Sequence, residues 1–167
     1  MLIRARRGRM PPATLEGPVW YFAYGSNMSE RLFRERRHMV WHDARLARLD
    51  GYRLAFTVGG GRRPGVSAPA NIVPAQGESV FGVLYQLPLR KFARLDNSEG
   101  RQYQYLWTEV EDSEGRRIAA VTYQAKAASA EGRPSQSYLN LIQRTARERG
   151  LPADYVALLD QVKVREE

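Results

Sequence analysis

Phe22-Ala23-Tyr24-Gly25-Ser26-Asn27 closes a short apolar and aromatic run that begins at Val19. The run predicts a buried strand, and Gly25 predicts a tight turn directly after it. Ser29 can then cap a helix of about two turns that continues through Arg37. Backbone N–H groups exposed at such a turn, together with the positive end of the helix dipole, suit a carboxylate or a developing oxyanion.

A second informative stretch is Leu95-Asp96-Asn97-Ser98-Glu99-Gly100. Residues 79–87 before it predict a strand, and residues 89–95 predict a short helix. We therefore expect residues 96–100 to form a turn, with Glu99 at a junction between elements. A carboxylate in such a place can serve as a general acid or base.

The two stretches together resemble the gamma-glutamylcyclotransferase family, whose members carry Tyr-Gly-Ser-Asn near the start and a Leu-Asp-x-x-Glu-Gly element further on. The resemblance extends over residues 19–162. In the same order it includes Ala44-Arg45-Leu46, Val80-Phe81-Gly82-Val83-Leu84-Tyr85, Pro134-Ser135, Tyr138, Gly150-Leu151-Pro152 and Tyr155. Several matched segments in order are more specific than one, because a Tyr-Gly-Ser-Asn turn alone often only ends a strand.

The remaining pattern places strands before helices. Residues 40–56 alternate and predict one or two strands, and residues 59–65 predict a glycine-rich surface loop. Residues 103–110 and 118–124 alternate on either side of Asp112-Ser113-Glu114-Gly115, which predicts a hairpin. Strands followed by helices indicate an α+β domain. The resemblance implies a small mixed β-barrel with packed helices and a site in a cavity at one end.

Two amphipathic helices are predicted in the C-terminal part of the chain. The apolar face of the first comprises Tyr138, Leu141, Ile142 and Thr145, and that of the second comprises Tyr155, Leu158, Leu159 and Val162. Gly150 predicts the end of the first helix, and Pro152 predicts the start of the second.

Length and composition favour one domain. The chain has 167 residues, of which 43% are hydrophobic, and this is enough for one core. We expect the domain to cover residues 17–167 and to follow a basic, disordered arm over residues 1–16. The net charge is +8, and removal of the arm's four arginines and one glutamate leaves +5. Because arginine-rich ends are often solvated tails, the sequence does not favour a nucleic-acid partner.

Several other classes of site and location are disfavoured. The chain has no cysteine, which excludes a thiol nucleophile and a disulfide framework. It has no apolar stretch long enough for a signal peptide core or a membrane span, so we expect a cytoplasmic protein. His38 and His42 are four residues apart, but a strand at Val40 and Trp41 would separate their side chains, so we expect no metal site. The sequence does not determine the oligomeric state.

The resemblance implies the cyclisation of a gamma-glutamyl compound. The α-amine attacks the γ-carbonyl, closes 5-oxoproline and expels an amino acid or amine, so the reaction needs neither a cofactor nor a metal. Because the α-amine is mostly protonated near neutral pH, one proton must be removed and another returned to the leaving amine. We assign both transfers to Glu99, first as general base and then as general acid. Partial burial would raise the pKa of Glu99 and let it hold the proton between the two steps.

The substrate-binding turn comprises Tyr24, Gly25, Ser26 and Asn27. Its N–H groups can clamp the substrate α-carboxylate or stabilise the oxyanion of the tetrahedral intermediate, and the sequence leaves both tasks open. Ser26 as a nucleophile is disfavoured, because no Gly-x-Ser-x-Gly elbow surrounds it. The resemblance also implies substrate contacts from Tyr123 and Tyr138, for which ordinary core packing is the alternative.

Two other functions stay open at this stage. One is the removal of a gamma-glutamyl protecting group in a biosynthetic pathway, which uses the same chemistry on a larger acceptor. The other is a non-catalytic protein of the same fold that binds a small ligand or nucleic acid. The spacing after Glu99 also leaves open whether Tyr103 or Tyr105 is the counterpart of the family's tyrosine.

Overall fold

A computed structural model describes residues 17–58, 67–98, 103–126 and 130–166. Three of the features predicted from the sequence lie outside these residues. They are the basic arm over residues 1–16, the glycine-rich loop over residues 59–65 and the candidate acid/base Glu99.

The described residues form strands and helices in the order that the sequence predicts, with strands first and most helices last. The strands are β1 (Val19–Ala23), β2 (Asp43–Val58), β3 (Ala70–Leu87), β4 (Tyr103–Asp112), β5 (Arg117–Ala125) and β6 (Ala130–Glu131). The helices are α1 (Glu30–Glu35), α2 (Leu89–Ser98), α3 (Gln136–Arg149) and α4 (Ala153–Asp160). None of the helices in this part of the chain has the length and apolar character that a membrane crossing requires.

Five strands of the described chain close into a mixed barrel. Their order is β3, β1, β5, β4, β2, and the pairing of β2 with β3 completes the circle. β1 and β5 run parallel, with Tyr21 opposite Val121, whereas the other neighbours in the barrel are antiparallel. The short β6 pairs with the last residues of β2, Thr57 and Val58. The expected α+β class and mixed barrel are confirmed.

The two long strands β2 and β3 pair along most of their length and form much of the barrel wall. The expectation that a strand starts at Val40 is wrong, because pairing begins only at Asp43 and Val40 is 52% exposed. The strand expected over residues 79–87 is the second half of β3, which begins at Ala70.

A close backbone approach at Gly82 brings β3 against the end of β1. A Cβ atom at this position would collide with the carbonyl oxygen of Ala23 and lie 2.9 Å from a ring carbon of Phe22. A side chain on residue 82 would therefore push the two strands apart just before the chain leaves β1 for the turn.

The hairpin of β4 and β5 is confirmed, and Asp112 holds its turn. Asp112 Oδ1 accepts hydrogen bonds of 2.9 Å from the N–H groups of Glu114 and Arg116. Asp112 Oδ2 accepts from Arg116 Nε at 2.9 Å and from Arg45 Nη1 at 3.1 Å. Burial alone would raise the pKa of Asp112, but these hydrogen bonds outweigh it and lower the pKa to about 2.

The helices begin and end at signals read from the sequence. Ser29 Oγ accepts from the N–H of Leu32 at 3.3 Å and caps α1. α1 ends at Glu35, so the expected extension through Arg37 is too long. Gly150 ends α3 with φ +76, and Pro152 directly precedes α4.

The buried faces of the last two helices differ in part from the prediction. The buried residues of α3 are Leu139, Ile142, Thr145 and Ala146, so the expected face omits two of them. In α4, Tyr155 and Leu159 are buried as expected, whereas Leu158 is 59% exposed and its assignment to the core is wrong. The helix periodicity was the correct signal, but it did not fix which stripe packs on the barrel.

Candidate active site

The turn expected after β1 is present and joins the barrel wall to α1. β1 ends at Ala23, and Ser26–Met28 form one turn of 3-10 helix that Gly25 precedes. Two backbone hydrogen bonds of 3.0 Å close this turn. Ser29, which follows, is the residue that caps α1.

Three consecutive backbone N–H groups of the turn are left for a ligand. The N–H groups of Gly25, Ser26 and Asn27 donate to no other residue in the described part of the chain. Unused donors at the first turn of a helix favour a bound anion, since they concentrate positive partial charge. The turn can therefore hold a carboxylate or an oxyanion.

The lack of room for a side chain, rather than a left-handed backbone, explains the glycine at position 25. Gly25 has φ −113, outside the left-handed region. A Cβ atom there would lie 3.2 Å from the Cβ of Ala70 and 3.5 Å from the hydroxyl oxygen of Tyr138. The missing side chain thus lets the turn lie close to the start of β3 and to α3.

Tyr24 is buried and ties the turn to β5. Its hydroxyl donates to the carbonyl oxygen of Tyr123 at 2.5 Å, across 99 residues of sequence. This hydrogen bond brings the first predicted binding residue against one of the two tyrosines that the resemblance implies.

Asn27 is 7% exposed and offers an acceptor in a buried position. Its Nδ2 donates to the hydroxyl oxygen of Tyr21 at 3.1 Å, which fixes the side-chain amide. Its Oδ1 is buried and has no hydrogen-bond donor among the described residues. A buried acceptor without a donor is costly, and no described residue offsets this cost at Asn27.

Tyr138 and Tyr103 both hold the backbone of Ala70. The hydroxyl of Tyr138 accepts from the Ala70 N–H, and the hydroxyl of Tyr103 donates to the Ala70 carbonyl, each at 3.1 Å. Because Ala70 lies against Gly25, these bonds set the distance between β3 and the turn. Ala70 therefore lies beside the predicted site residues although sequence reasoning did not single it out, whereas Tyr103 is one of the two tyrosines between which the sequence left the family's counterpart open.

Tyr123 connects the barrel interior to α2. Its hydroxyl donates to Asp96 Oδ1 at 3.2 Å, and its ring contacts Tyr21 and Tyr105 with centroid separations of 5.9 Å in each case. Asp96 is helical, because α2 continues to Ser98, so the turn expected to start at residue 96 is wrong. Phe92 and Leu95 are fully buried and keep this last turn packed on the barrel.

The structure brings most of the predicted site residues together at one end of the barrel. Tyr24 contacts Tyr123, and Gly25 lies beside Tyr138. Glu99 itself is outside the described residues, and α2 leads to it in the sequence. The assignment of Glu99 as acid/base and of the other residues as substrate contacts stays a prediction.

The two histidines lie on an irregular segment between α1 and β2. His38 has φ +54, and the strand expected at Val40 and Trp41 is absent from this described segment. Within the described residues, no group of three or more His, Asp or Glu side chains is arranged to hold a metal ion.

A pocket of about 430 Å³ lies between α1 and α3. Arginine and glutamate side chains line most of it, and none of the predicted site residues does. Arg149 is one of the residues that line it, with Nη1 3.3 Å from a carboxylate oxygen of Glu30 and its guanidinium 5.9 Å from the ring centroid of Tyr85.

Comparisons with known proteins agree with this architecture. The model of the AIG2-like family matches residues 79–159. Gamma-glutamylcyclotransferase from Bos taurus is 30% identical over 149 residues, which cover 86% of this chain and 78% of that protein. The Homo sapiens gamma-glutamylcyclotransferase is 31% identical over 152 residues, with the same coverage of 86% and 78%.

A solved gamma-glutamyl cyclotransferase structure has the same fold. It superposes with a TM-score of 0.79 at 26% identity, and the match covers 90% of each chain. Sequence and structure therefore agree over nearly the whole chain, and this protein belongs to the gamma-glutamylcyclotransferase family.

Proposed function

We propose that this chain is a gamma-glutamylcyclotransferase that releases 5-oxoproline from small gamma-glutamyl compounds. The observation that carries the proposal is the turn over residues 24–27, whose three N–H groups donate to no described residue and lie beside Tyr138. Family membership supports the reaction type. Together they fit an enzyme that binds an anionic head group and folds it for ring closure.

The reaction is an intramolecular acyl transfer. The substrate α-amine attacks the γ-carbonyl carbon, the new C–N bond closes the lactam, and the bond from the γ-carbon to the leaving amine breaks. The attacking nitrogen loses a proton and the leaving nitrogen gains one, so a single carboxylate can balance both transfers. We assign this role to Glu99 because it follows α2, whose last described turn Tyr123 holds through Asp96.

The role of the turn is to hold the substrate in the conformation that ring closure requires. A flexible glutamyl chain must be held with its amine near its γ-carbonyl, and such orientation lowers the barrier by avoiding entropy loss. If the N–H groups of Gly25, Ser26 and Asn27 face the tetrahedral oxyanion, each donor lowers the activation free energy by about 3 kcal/mol. If they hold the α-carboxylate, they contribute mainly to substrate affinity.

The polar atoms near the turn suit a head group that carries both an acceptor and a donor. The N–H groups of the turn are donors, whereas Asn27 Oδ1 is a buried acceptor that no described residue uses. A gamma-glutamyl head group has an α-carboxylate and an α-amine on one carbon, so it offers a partner for each. Because Asn27 Oδ1 is buried from solvent, contact with the substrate amine requires the Asn27 side chain to turn toward the ligand.

Gamma-glutamyl amino acids, peptides and amines are the proposed substrate class, and the cytoplasm is the proposed location. Tyr123 and Tyr138 are the proposed side-chain contacts, as the family resemblance implies. The hydroxyl of Tyr138 lies beside Gly25 of the turn, and the hydroxyl of Tyr123 is bonded to Asp96 in α2.

Release of 5-oxoproline, measured by mass spectrometry, tests this function. The panel comprises gamma-glutamyl dipeptides, gamma-glutamyl amines and glutathione. Glu99→Gln keeps the shape of the side chain but removes its proton transfer, so we expect kcat to fall by about 10²- to 10⁴-fold. Glu78→Gln is the matched control, because Glu78 is exposed on β3, and it should keep the wild-type rate.

The outcomes separate the alternatives. Equal rates for wild type and Glu99→Gln would remove Glu99 from the mechanism while leaving the reaction in place. No product from any panel member would contradict the proposed substrate class and shift the function to a larger biosynthetic acceptor or to ligand binding.

A further inference from the structure

Four consecutive backbone carbonyls, those of residues 25–28, accept hydrogen bonds from two different kinds of donor. The first two, those of Gly25 and Ser26, accept from the N–H groups of Met28 and Ser29 at 3.0 Å. The next two, those of Asn27 and Met28, accept from the hydroxyl of Tyr85 at 3.0 Å and 3.2 Å. One side chain from β3 therefore holds the C-terminal half of the turn.

The ring of Tyr85 has little freedom to move. Tyr85 is fully buried, stacks on Phe33 with a centroid separation of 4.5 Å and contacts Trp41 at 5.0 Å. The guanidinium of Arg149 lies 5.9 Å from the same ring. Burial also raises the pKa of Tyr85 well above its usual value, so its hydroxyl stays protonated and can donate at all physiological pH values.

We propose that Tyr85 is a positioning residue, whose hydroxyl holds the turn in the orientation that presents the N–H groups of Gly25, Ser26 and Asn27 to the substrate. The carbonyls and the N–H groups of a short helical turn point in opposite directions along its axis. Fixing the carbonyls of Asn27 and Met28 thus sets where the N–H groups point. This inference rests on the proposed function, in which those N–H groups bind the substrate.

The hydrogen bonds of the Tyr85 hydroxyl can be removed without removing the packing of its ring. Tyr85→Phe keeps the stacking on Phe33 and Trp41 and removes one oxygen atom, which leaves two buried carbonyls without their donor. A role limited to filling the core would tolerate this change. A role in orienting the turn would not.

The experiment compares wild type, Tyr85→Phe and the control Tyr155→Phe. Tyr155 is also buried, but it packs on Phe81 from α4. Steady-state kinetics are measured with gamma-glutamylalanine at a temperature well below all three Tm values. Hydrogen–deuterium exchange is measured in parallel on peptides that cover residues 25–29 and the hairpin residues 109–118.

We expect Tyr85→Phe to lower kcat/KM about tenfold or more and to speed exchange over residues 25–29 alone, with neither effect in Tyr155→Phe. A raised KM at constant kcat assigns the turn to the α-carboxylate, and a lowered kcat at constant KM assigns it to the oxyanion; both support the proposal. Unchanged kcat/KM, or faster exchange across the whole chain, overturns it. If the wild type releases no 5-oxoproline, the proposed function fails, and local exchange alone decides whether Tyr85 holds the turn.

Discussion

Single hydroxyl groups set the geometry of this site more than charges do. The turn and its surroundings are held by hydroxyls from Tyr24, Tyr85, Tyr103 and Tyr138, each bonded to backbone. A tyrosine can bury a large ring and still present one polar atom at a defined place. Such contacts fix backbone groups in position without adding a charge next to the turn.

Tyr138→Phe should affect both stability and activity. It leaves the N–H of the buried residue Ala70 without its acceptor, so we expect a loss of about 1–3 kcal/mol in the free energy of unfolding. We also expect a lower kcat/KM, because Ala70 lies against Gly25. Urea denaturation and 5-oxoproline release measure the two effects.

Tyr52→Phe is the control for this substitution. No described residue forms a hydrogen bond with the Tyr52 hydroxyl, so its removal should change the free energy of unfolding by less than about 0.5 kcal/mol. Equal stability of the two variants would show that the bond from Ala70 to Tyr138 contributes nothing.

At the scale of elements, the β4–β5 hairpin depends on one ionised side chain. Asp112, at the end of β4, accepts hydrogen bonds from the hairpin turn and from Arg45, so it joins this turn to β2. The side chain is 1% exposed, which means that water does not replace a lost partner. The protonation state of Asp112 should therefore affect the stability of this side of the barrel.

Asp112→Asn should lower Tm at neutral pH, and the difference from wild type should shrink in acid. The folded pKa of Asp112 is about 2, below the value of about 3.9 for an unfolded aspartate. Its ionisation thus stabilises the fold above about pH 4, and this contribution is lost as the pH falls toward 2. Thermal unfolding at pH 7, 4 and 2.5 measures the difference.

Asp154→Asn supplies the comparison, because Asp154 is exposed in the first turn of α4. Its smaller effect on Tm at pH 7 would assign the loss in Asp112→Asn to the buried hydrogen bonds. A Tm difference for Asp112→Asn that is as large at pH 2.5 as at pH 7 would contradict the role of ionisation.

At the scale of the whole molecule, the sequence assigns the fold to residues 17–167 and a separate basic arm to residues 1–16. A chain that starts at Gly17 should therefore keep its kcat/KM and shift Tm by less than about 2 °C. Its net charge falls from +8 to +5. Binding of RNA or DNA by the full chain that weakens with salt and disappears on truncation would instead support a nucleic-acid role for the arm.

Local signals predicted the elements whose limits depend on neighbours in the sequence. The strand before Gly25, the cap at Ser29, the hairpin turn and the helix end at Gly150 are of this kind. The first half of β3 was not predicted, because Pro74 and Gly77 disfavour a strand locally. Pairing with β2 overrides that preference.

The predictions for the site divide in the same way, into local features that the sequence predicts and long-range contacts that it does not. The motif residues Tyr24–Asn27 could be named from the sequence, whereas their partners Tyr21, Ala70 and Tyr85 could not. Those contacts exist only once the barrel is closed, so no local sequence pattern predicts them. The prediction that Leu158 lies on the buried face of α4 was wrong for a related reason. Periodicity identifies the faces of a helix, but it does not say which face packs on the barrel.

The parallel pairing of β1 with β5 has a consequence for how the protein is made. Phe22 accepts a hydrogen bond of 2.7 Å from Thr122 Oγ1, and the two residues are 100 positions apart. During synthesis on the ribosome, β1 emerges early but lacks this neighbour until most of the chain has been translated. Because such distant contacts form slowly, we infer that the turn after β1 becomes ordered late, so a nascent chain cannot act on substrate before β5 has been made.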